Sequence, residues 1–366
     1  MSLRFRKVLI ADERFESAGM IDVNNDGVLD IVSGAYWYEG PDFQRAHPVG
    51  PVEAIDENFD DFSTIPLDVN GDGNMDFVAG GWWGNTLRWR ENPGKSGVEW
   101  TTHVISEVGN VETTKGWDLD NDGIIEIVPN CPGGPLAVWK LDTGSDGIGL
   151  GSFTRHEIGS TPQGHGLGAG DIAGNGRMDL VLRNGWYEAP EKPWEEQWIW
   201  HADFEIGRCS VPIIVADVNR DGLADLIIGN SHEYGLNWYE QRIENGKRTW
   251  ICHPIDPFNS QYHDMMWIDI DGDGDCELVT GKRYRAHSGH DPGAKDDLGT
   301  YYFKWNGESF TKQIIDIGPA RVGTGVGIYF DMADLTGNGF PDLVAPGKDG
   351  LYIFFNDGII PQPEDH

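Results

Sequence analysis

Positive charge is scarce in this sequence of 366 residues. Lysine and arginine together number 27 against 60 aspartates and glutamates, which gives a formal net charge of −33 at pH 7. A nucleic-acid-binding protein needs a basic surface to replace the counterions of the phosphate backbone, and an anionic membrane repels an acidic surface. We therefore expect neither a nucleic acid nor a membrane as the partner.

Long apolar runs and cysteines are also rare. No segment approaches the roughly 18 apolar residues of a membrane span. The four cysteines have no paired spacing, so they indicate neither a disulfide framework nor a zinc cluster. The apolar stretch near the N terminus, residues 8–11, is too short for a signal peptide. A glycine-rich phosphate loop, a nucleophile elbow and a thiol with a nearby base pattern are missing too, which disfavours kinases, triad hydrolases and thiol proteases.

Glycine, proline and aromatic residues are plentiful. The chain has 50 Gly, 20 Pro, 15 Trp, 15 Phe and 11 Tyr, with a hydrophobic content of 39%. This is enough apolar surface to build a core, so the high net charge does not indicate disorder. So many turn-forming residues favour short strands joined by tight turns over a helical bundle.

An acidic motif recurs seven times along the chain. It has Asp at position 1, Asp or Asn at position 5, Gly at position 6 and Asp or Glu at position 9. Short apolar stretches flank each copy, and an aromatic strand and a further strand follow, with no sustained helical periodicity. Each repeat of about 50 residues therefore predicts four short strands. The copies begin at Asp22, Asp68, Asp118, Asp171, Asp217, Asp269 and Asp334.

Seven such repeats predict an all-β fold, a seven-bladed β-propeller. The last repeat ends after its third strand, residues 351–355, and has no fourth. Residues 5–10 match the fourth-strand pattern of the other repeats. We expect this N-terminal strand to complete the seventh blade and close the ring, which removes open sheet edges. The expected organisation is a single propeller domain over residues 1–366.

The acidic loops have the residue types that calcium takes as ligands. Carboxylates at alternating positions of a tight loop converge on one point, as in the EF-hand loop. Capping of the turn by the same side chains is the alternative. The copies at Asp171 and Asp334 are weaker, because Ala173 and Thr336 stand at position 3. The predicted structural calcium ligands are Asp22, Asn24, Asp26, Asp30, Asp68, Asn70, Asp72, Asp76, Asp118, Asp120, Asp122, Glu126, Asp217, Asn219, Asp221, Asp225, Asp269, Asp271, Asp273 and Glu277.

With these loops the sequence resembles the calcium-loop blades of FG-GAP (integrin α-type) and VCBS repeat propellers over nearly its whole length. The resemblance implies the propeller fold and structural calcium ions. Calcium loops in turn favour a secreted or periplasmic location. Propellers of this kind serve in adhesion, sugar binding and catalysis, so the function has to be argued from a site.

Irregular segments gather on the face opposite the acidic loops. The turn between the second and third strands is long in the sixth repeat, residues 281–293, and long loops in compact domains are often functional. His165 and His263 each lie six residues before the first Asp of their repeat, and Glu112 holds the same position in the third. His232 falls in the second-to-third strand turn of the fifth repeat. We expect these side chains to surround one end of the central channel.

Neutral imidazoles around an open position are typical ligands of a catalytic zinc or similar ion. We predict such a mouth metal with His165, His232, His263 and His287 as ligands. Nearby basic residues suit a carboxylate or oxyanion on the ligand. The predicted catalytic residues are His263, His287, Tyr284, Arg283 and Lys282. The predicted substrate-binding residues are Arg285, Tyr262, Glu112 and His290.

Other histidines and aromatic residues fit packing better than chemistry. One recurring position of the outermost strand carries a histidine in several repeats, which predicts packing within the blade. Aromatic residues in the turns of the mouth face, such as Trp82 and Trp186, could stack on sugar rings or pack between blades. The recurring outer-strand histidines are His103, His156, His201 and His253.

The long segment from Gly281 to Gly293 resembles the corresponding blade of the propeller domain in the aldos-2-ulose dehydratase family. The resemblance implies a metal-dependent carbohydrate lyase or dehydratase, in which a proton is removed beside a carbonyl and the β-oxygen is eliminated from a keto-sugar. A histidine outside the metal shell or Tyr284 would take the proton, and Arg283 or Lys282 would steady the enolate. A polysaccharide lyase acting beside a uronate would use the same chemistry. The alternative is a non-catalytic propeller with structural calcium that binds carbohydrate or protein through this mouth.

Overall fold

Short β-strands and one 3₁₀ turn, Ala286–Gly289, form the regular structure of the computed structural model, which describes residues 3–95 and 97–359. No helix in this part of the chain is long and apolar enough to span a membrane. The strands are β1 (Leu3–Ala11), β2 (Ala18–Ile21), β3 (Asp30–Ser33), β4 (Tyr36–Glu39), β5 (Arg45–Pro48), β6 (Ala54–Ile55), β7 (Asn58–Phe59), β8 (Ile65–Leu67), β9 (Asp76–Gly80), β10 (Thr86–Glu91), β11 (Thr101–Glu107), β12 (Thr113–Trp117), β13 (Glu126–Asn130), β14 (Leu136–Thr143), β15 (Gly149–Gly159), β16 (Leu167–Gly170), β17 (Asp179–Leu182), β18 (Gly185–Glu188), β19 (Ile199–His201), β20 (Ile214–Ala216), β21 (Asp225–Gly229), β22 (Tyr234–Glu244), β23 (Lys247–Ser260), β24 (Tyr262–Ile268), β25 (Glu277–Lys282), β26 (Leu298–Trp305), β27 (Phe310–Gly318), β28 (Asp331–Ala333), β29 (Asp342–Ala345) and β30 (Leu351–Ile359).

Seven four-stranded antiparallel sheets form the blades of a propeller, which confirms the predicted fold. Blades one to six are β2–β5, β8–β11, β12–β15, β16–β19, β20–β23 and β24–β27. The seventh has the order β1-β30-β29-β28, with Lys7 opposite Phe354 and Val8 opposite Ile353. The N-terminal strand therefore closes the ring as predicted. The hairpin β6–β7 lies between blades one and two and was not anticipated by the repeat.

The core lies between neighbouring blades, because the inner strands are apolar on both faces. All five residues of β21 are buried, for example, and side chains of β14 pack against those of β17 across the gap between blades three and four. Burying apolar area in this way supplies most of the stabilisation of such a fold, about 25 cal/mol per Å². Each blade thus depends on its neighbours for half of its core.

Outer-strand histidines take part in blade packing. His103 stacks on Trp89, His201 on Trp186 and His253 on Trp238, with ring centroids 4.1–4.5 Å apart. His156 lies 4.7 Å from the Trp194 ring at a tilted angle. These contacts confirm the packing interpretation for all four histidines.

The acidic loops connect the first and second strands of the blades and are braced by their own carboxylates. In blade one, Asp22 accepts hydrogen bonds from the backbone N–H groups of Asp26 and Gly27, at 3.1 and 3.0 Å. Gly27 has a φ of 84°, which an L side chain rarely adopts. Turn capping is therefore one function of these residues. Calcium binding by the same loops stays a prediction.

Candidate functional site

Three histidines and a glutamate from four consecutive blades converge at the mouth of the channel. Glu112 immediately precedes β12, His165 lies just before β16, His232 follows β21, and His263 is in β24. Their ligating atoms all lie within 4.8 Å of one another. The Nε2 atoms of His165 and His263 are 3.0 and 3.1 Å from Glu112 Oε1, and His232 Nε2 is 3.1 Å from His165 Nε2. The sequence placed the three histidines together and assigned Glu112 to substrate instead.

Burial sets the charge state of this cluster. It lowers the pKa of His232 to about 3, and the charges of His165 and His263 act in the same direction. Burial also lowers the pKa of His263 to about 3, although its hydrogen bond to Glu112 opposes the shift. For Glu112, burial would raise the pKa, but the imidazoles of His165 and His263 outweigh it and hold the pKa well below its usual value. The site therefore combines the neutral imidazoles of His232 and His263 with the ionised carboxylate of Glu112.

The arrangement fits a divalent metal ion such as zinc. Ligand atoms about 2.05 Å from a tetrahedral ion lie about 3.3 Å from one another, close to the shortest separations in the cluster. Neutral imidazole and carboxylate are the forms that bind metal. The Nδ1 atom of His263 is buried and has no hydrogen-bond partner among the described residues. Glu112, His165, His232 and His263 could hold the ion, and His232 also forms a second group of possible ligands with Asp291 and the predicted ligand His287.

Asp291 orients two imidazoles at the edge of the cluster. Its Oδ2 accepts a hydrogen bond from His232 Nδ1 at 2.7 Å, and its Oδ1 accepts one from His287 Nδ1 at 2.9 Å. His232 thereby presents the lone pair of Nε2 to the cluster, the usual arrangement of a metal-binding histidine backed by a carboxylate. His287 stacks on His232 with ring centroids 4.3 Å apart and remains exposed. Sequence reasoning missed Asp291, although its spacing of four residues after His287 was a usable signal.

A cavity of about 370 Å³ opens onto this cluster. Its wall includes two arginines of blade four and the following loop, Arg183 and Arg208, and the aromatic side chain of Trp82 from blade two. The sequence did not predict Arg183 or Arg208 as site residues, and it left Trp82 open between sugar stacking and packing. The complete lining is Trp82, Glu112, Pro132, Gly164, His165, Arg183, Arg208, His232 and His287.

Lys282 and Arg283, two basic residues of the long loop that the sequence predicted to be catalytic, form hydrogen bonds with other parts of the protein. The Lys282 side chain is buried, and its Nζ donates to the carbonyl oxygens of Gly293 and Asp296. Arg283 is buried as well, and its Nε donates to Glu16 Oε1 at 2.9 Å. These contacts hold the loop and the channel together. The positive charge of Arg283 still acts on the cluster, because it helps to lower the pKa of His232 and of His263.

The other predicted residues of this region lie outside the cavity. Tyr284 and Arg285 line a separate cavity of about 580 Å³, where Arg285 pairs with Glu57. The positive φ of Arg285, 53°, turns the loop in that direction. Tyr262 is buried and donates a hydrogen bond to Asp256 at 2.7 Å. His290 is exposed, and its Nδ1 lies 2.8 Å from the carbonyl oxygen of His287.

Two acidic loops contain a lysine that sequence reasoning missed. In blade three, Lys140 Nζ lies 2.9 Å from Asp120, 2.7 Å from Asp122 and 2.7 Å from Glu126. In blade six, Lys304 Nζ makes the same three contacts with Asp271, Asp273 and Glu277, at 2.6, 2.6 and 3.2 Å. An ammonium group thus lies where the carboxylates converge. In the same two loops the ligating oxygens of Asp118, Asp120 and Asp122, and those of Asp269, Asp271 and Asp273, lie within 4.8 Å of one another. Calcium binding by these loops stays a prediction.

A protein-family model matches two segments of the chain that contain acidic loops. A family model described as FG-GAP-like repeat matches residues 68–129 and 217–280. The matched segments contain the loops of blades two, three, five and six. The chain therefore carries FG-GAP-like repeats, as the sequence indicated. No protein of curated function matches the chain in sequence.

Several solved structures resemble the whole chain. A lectin from Agrocybe aegerita that recognises non-reducing terminal N-acetylglucosamine has 17% identity and a TM-score of 0.48, covering 93% of this chain and 90% of its own. The rhamnogalacturonan lyase YesW has 12% identity and a TM-score of 0.49, with 98% and 73% covered. BBS1N, solved in complex with ARL6DN, has 10% identity and a TM-score of 0.51, with 94% and 92% covered. At 10% identity, the likeness to BBS1N shows a shared fold.

Proposed function

We propose that this propeller is a metal-dependent carbon–oxygen lyase acting on a keto-sugar or a uronate-containing saccharide. The observation that carries the proposal is the convergence of Glu112, His165, His232 and His263 beside a cavity of about 370 Å³. A cavity with polar groups at one end and an aromatic wall suits a sugar ring. The resemblance of residues 281–293 to a sugar dehydratase family supports the choice of elimination chemistry.

The reaction needs an electrophile, a base and a proton donor. An ion held by three of the four candidate side chains would keep a position open for the substrate carbonyl, would polarise it and would acidify the neighbouring C–H. His287 borders the same cavity and donates Nδ1–H to Asp291, which leaves Nε2 free to accept that proton. The electrons of the broken C–H bond form the new C=C bond as the β C–O bond breaks. The His287 imidazolium then returns the proton to the leaving oxygen.

We propose structural calcium in fewer of the acidic loops than the sequence predicted. We assign structural calcium to the loops that begin at Asp22, Asp68 and Asp217, where carboxylates stand at positions 1 and 5 and an asparagine at position 3. In blade two, the third-strand residue Glu91 lies beside the loop, 3.3 Å from Asn70, and adds a further carboxylate. Calcium in these loops would stabilise the blades without taking part in the reaction.

Selective metal removal tests the lyase proposal. The protein is treated with a chelator of transition metals while calcium is kept at millimolar concentration, and bound metals are measured by mass spectrometry. We expect about one transition-metal ion per chain before treatment and none after it. Formation of the unsaturated sugar, followed by ultraviolet absorbance, should stop on removal and return on addition of zinc. Full turnover without the metal would overturn the proposal, and sugar binding without turnover in either state would assign the mouth to binding alone.

A further inference from the structure

We infer that the mouth cavity binds the carboxylate of an acidic sugar, so that uronate-containing saccharides are its substrate class. This inference rests on the proposed function and narrows it. The groups that carry it are Arg183, in the turn between β17 and β18, and Arg208, in the loop between β19 and β20. Both line the same cavity as the metal-ligand candidates His165 and His232.

Neither arginine side chain has a carboxylate partner in the described part of the chain. Across residues 3–95 and 97–359, no carboxylate forms an ion pair or a hydrogen bond with Arg183 or Arg208. Arg183 is half-buried and Arg208 is exposed, in a chain whose acidic groups outnumber the basic ones by 60 to 27. Two guanidinium groups on the wall of one cavity make its electrostatic potential more positive, which favours an anionic group on the ligand. Their planar N–H groups match a carboxylate in two-point hydrogen bonding.

Gly164 places one of these arginines beside the metal cluster. A Cβ atom at position 164 would lie 2.1 Å from Arg183 Nε and 2.2 Å from its Cδ, so any side chain there would displace the arginine. His165, a metal-ligand candidate, is the next residue along the chain. The missing side chain therefore leaves room for the Arg183 side chain on the wall of the cavity that Trp82 also lines.

A carboxylate at this position has a direct role in the elimination. The C–H bond that must break in a uronate is next to the carboxylate, and positive groups on the carboxylate stabilise the anion that develops there. The proton goes to His287, the C–H electrons form the C=C bond, and the β C–O bond breaks with its electrons on the leaving oxygen. That oxygen takes the proton back from the imidazolium. The step is an elimination, so no oxidant or reductant is needed.

Substitution of the two arginines tests the inference. The probes are galacturonate and glucuronate trisaccharides and their carboxyl-reduced, neutral counterparts, and binding is measured by calorimetry on the zinc-loaded protein. For Arg183→Met and Arg208→Met we expect about a tenfold or larger loss of affinity for the uronates, because each removes a charged hydrogen-bond donor. Zinc content and affinity for the neutral sugars should stay unchanged. Arg155→Met, on the outer strand of blade three, is the matched control.

The outcomes separate this inference from the proposed function. Tighter binding of uronates than of neutral sugars that depends on both arginines supports the carboxylate site, even if no probe is turned over. Absence of turnover on all probes would then remove the lyase proposal and leave the binding site. Equal binding of uronate and neutral probes, or uronate affinity that Arg183→Met and Arg208→Met leave unchanged, would overturn the inference.

A separate observation leads us to infer that Lys140 and Lys304 replace a metal ion in blades three and six. The strand register gives the comparison: Trp139 pairs with Ile127, so Lys140 is adjacent to Glu126, and Phe303 pairs with Leu278, so Lys304 is adjacent to Glu277. Blades one, two, four and five carry a glutamate in place of the lysine. Those glutamates are Glu39, Glu91, Glu188 and Glu240.

The acid at position 9 of the loop changes together with the third-strand residue. Blades with a third-strand glutamate have aspartate there, and both oxygens of that aspartate are taken by backbone N–H groups, as Asp76 is by Val69 and Asn92. Blades with lysine have the longer glutamate. One oxygen of Glu126 accepts the N–H of Leu119, and the other meets Lys140. We attribute the joint change to the longer side chain of glutamate, which accepts the backbone N–H with one oxygen and reaches the lysine with the other.

Calcium counting tests this second inference. Bound calcium is measured by equilibrium dialysis and mass spectrometry for the wild-type chain and for the double variant Lys140→Met/Lys304→Met. Removal of both ammonium groups leaves four carboxylates in the loop of blade three and five in that of blade six, so we expect the variant to bind about two more calcium ions. Its melting temperature should fall in chelator and recover in calcium. An unchanged calcium count together with an unchanged melting temperature in chelator would overturn the inference.

The reciprocal exchange in blade two covers the case in which the double variant fails to fold. Asp76→Glu with Glu91→Lys gives that loop the lysine arrangement of blades three and six. We expect this variant to bind about one calcium ion fewer than the wild-type chain. A calcium count equal to that of the wild type would show that a lysine at this position does not replace the ion.

Discussion

A His165→Ala variant is expected to bind the mouth metal at least about 100-fold more weakly, because loss of an outer partner of a metal ligand alone costs 10–100-fold. His165 touches both Glu112 and His232, at 3.0 and 3.1 Å, so its removal takes away a donor from the middle of the cluster. Turnover at a fixed zinc concentration should fall by at least the same factor. Competition with a chromophoric zinc chelator measures the affinity, and ultraviolet absorbance measures the product.

His290→Ala is the matched control for this prediction. His290 comes from the segment predicted to be functional, but it is exposed and its ring contacts a backbone carbonyl oxygen. Its replacement should leave zinc affinity and turnover within about twofold of wild type, the usual range for an exposed side chain without special contacts. If His165→Ala kept wild-type zinc affinity, or if both variants lost it equally, the cluster would not be the metal site.

The repeat made part of the site predictable. Because every blade has the same register, a residue six positions before the first acidic Asp lies at the same height in the channel. That rule placed Glu112, His165 and His263 on one ring, and it placed His232 on the same face. The same rule predicted the pairing of β1 with β30. Residue spacing within a repeat is local information, and a sequence supplies it reliably.

The direction of side chains in the long loop was not predictable in this way. Arg285, His287 and Ser288 all have positive φ, so the chain leaves the strand register on which the argument depends. Lys282 is still in strand register opposite Tyr262, and both it and Arg283 contact buried partners, whereas Arg285 turns to a different cavity. That these basic side chains act on the substrate stays a prediction, and the contacts of Lys282 and Arg283 show a part in holding the fold together.

Residues from other blades were missed for a different reason. Arg183 and Arg208 reach the cavity from blade four and the following loop, and contacts of that kind depend on the three-dimensional closure of the ring. Lys140 and Lys304 did carry a sequence signal. Each stands where four other repeats have glutamate, and each comes with glutamate at position 9 of its loop. Aligning the third strands as well as the loops would have found them.

Arg283→Met is expected to lower the free energy of unfolding by about 3–5 kcal/mol, the usual effect of breaking one partner out of a buried ion pair. Burial would raise the pKa of Glu16, but the charges of Arg283 and Lys348 hold it below its usual value. Without the guanidinium, Glu16 keeps only Lys348, 3.4 Å away, as a charged partner. Urea unfolding followed by tryptophan fluorescence measures the change.

The double variant Glu16→Gln/Arg283→Met separates structural support from catalysis. Once the buried carboxylate is neutral, loss of the guanidinium leaves no uncompensated charge, so the double variant should be more stable than Arg283→Met alone. Zinc affinity at the mouth should not fall in either variant, because Arg283 forms no hydrogen bond with the four metal-ligand candidates in the described chain and its positive charge, which acts on His232 and His263, disfavours a nearby cation. If Arg283→Met instead kept wild-type stability and lost only turnover, Arg283 would stabilise the reacting enolate, as the sequence alone suggested. The stability of the two variants therefore decides whether this arginine serves the fold or the reaction.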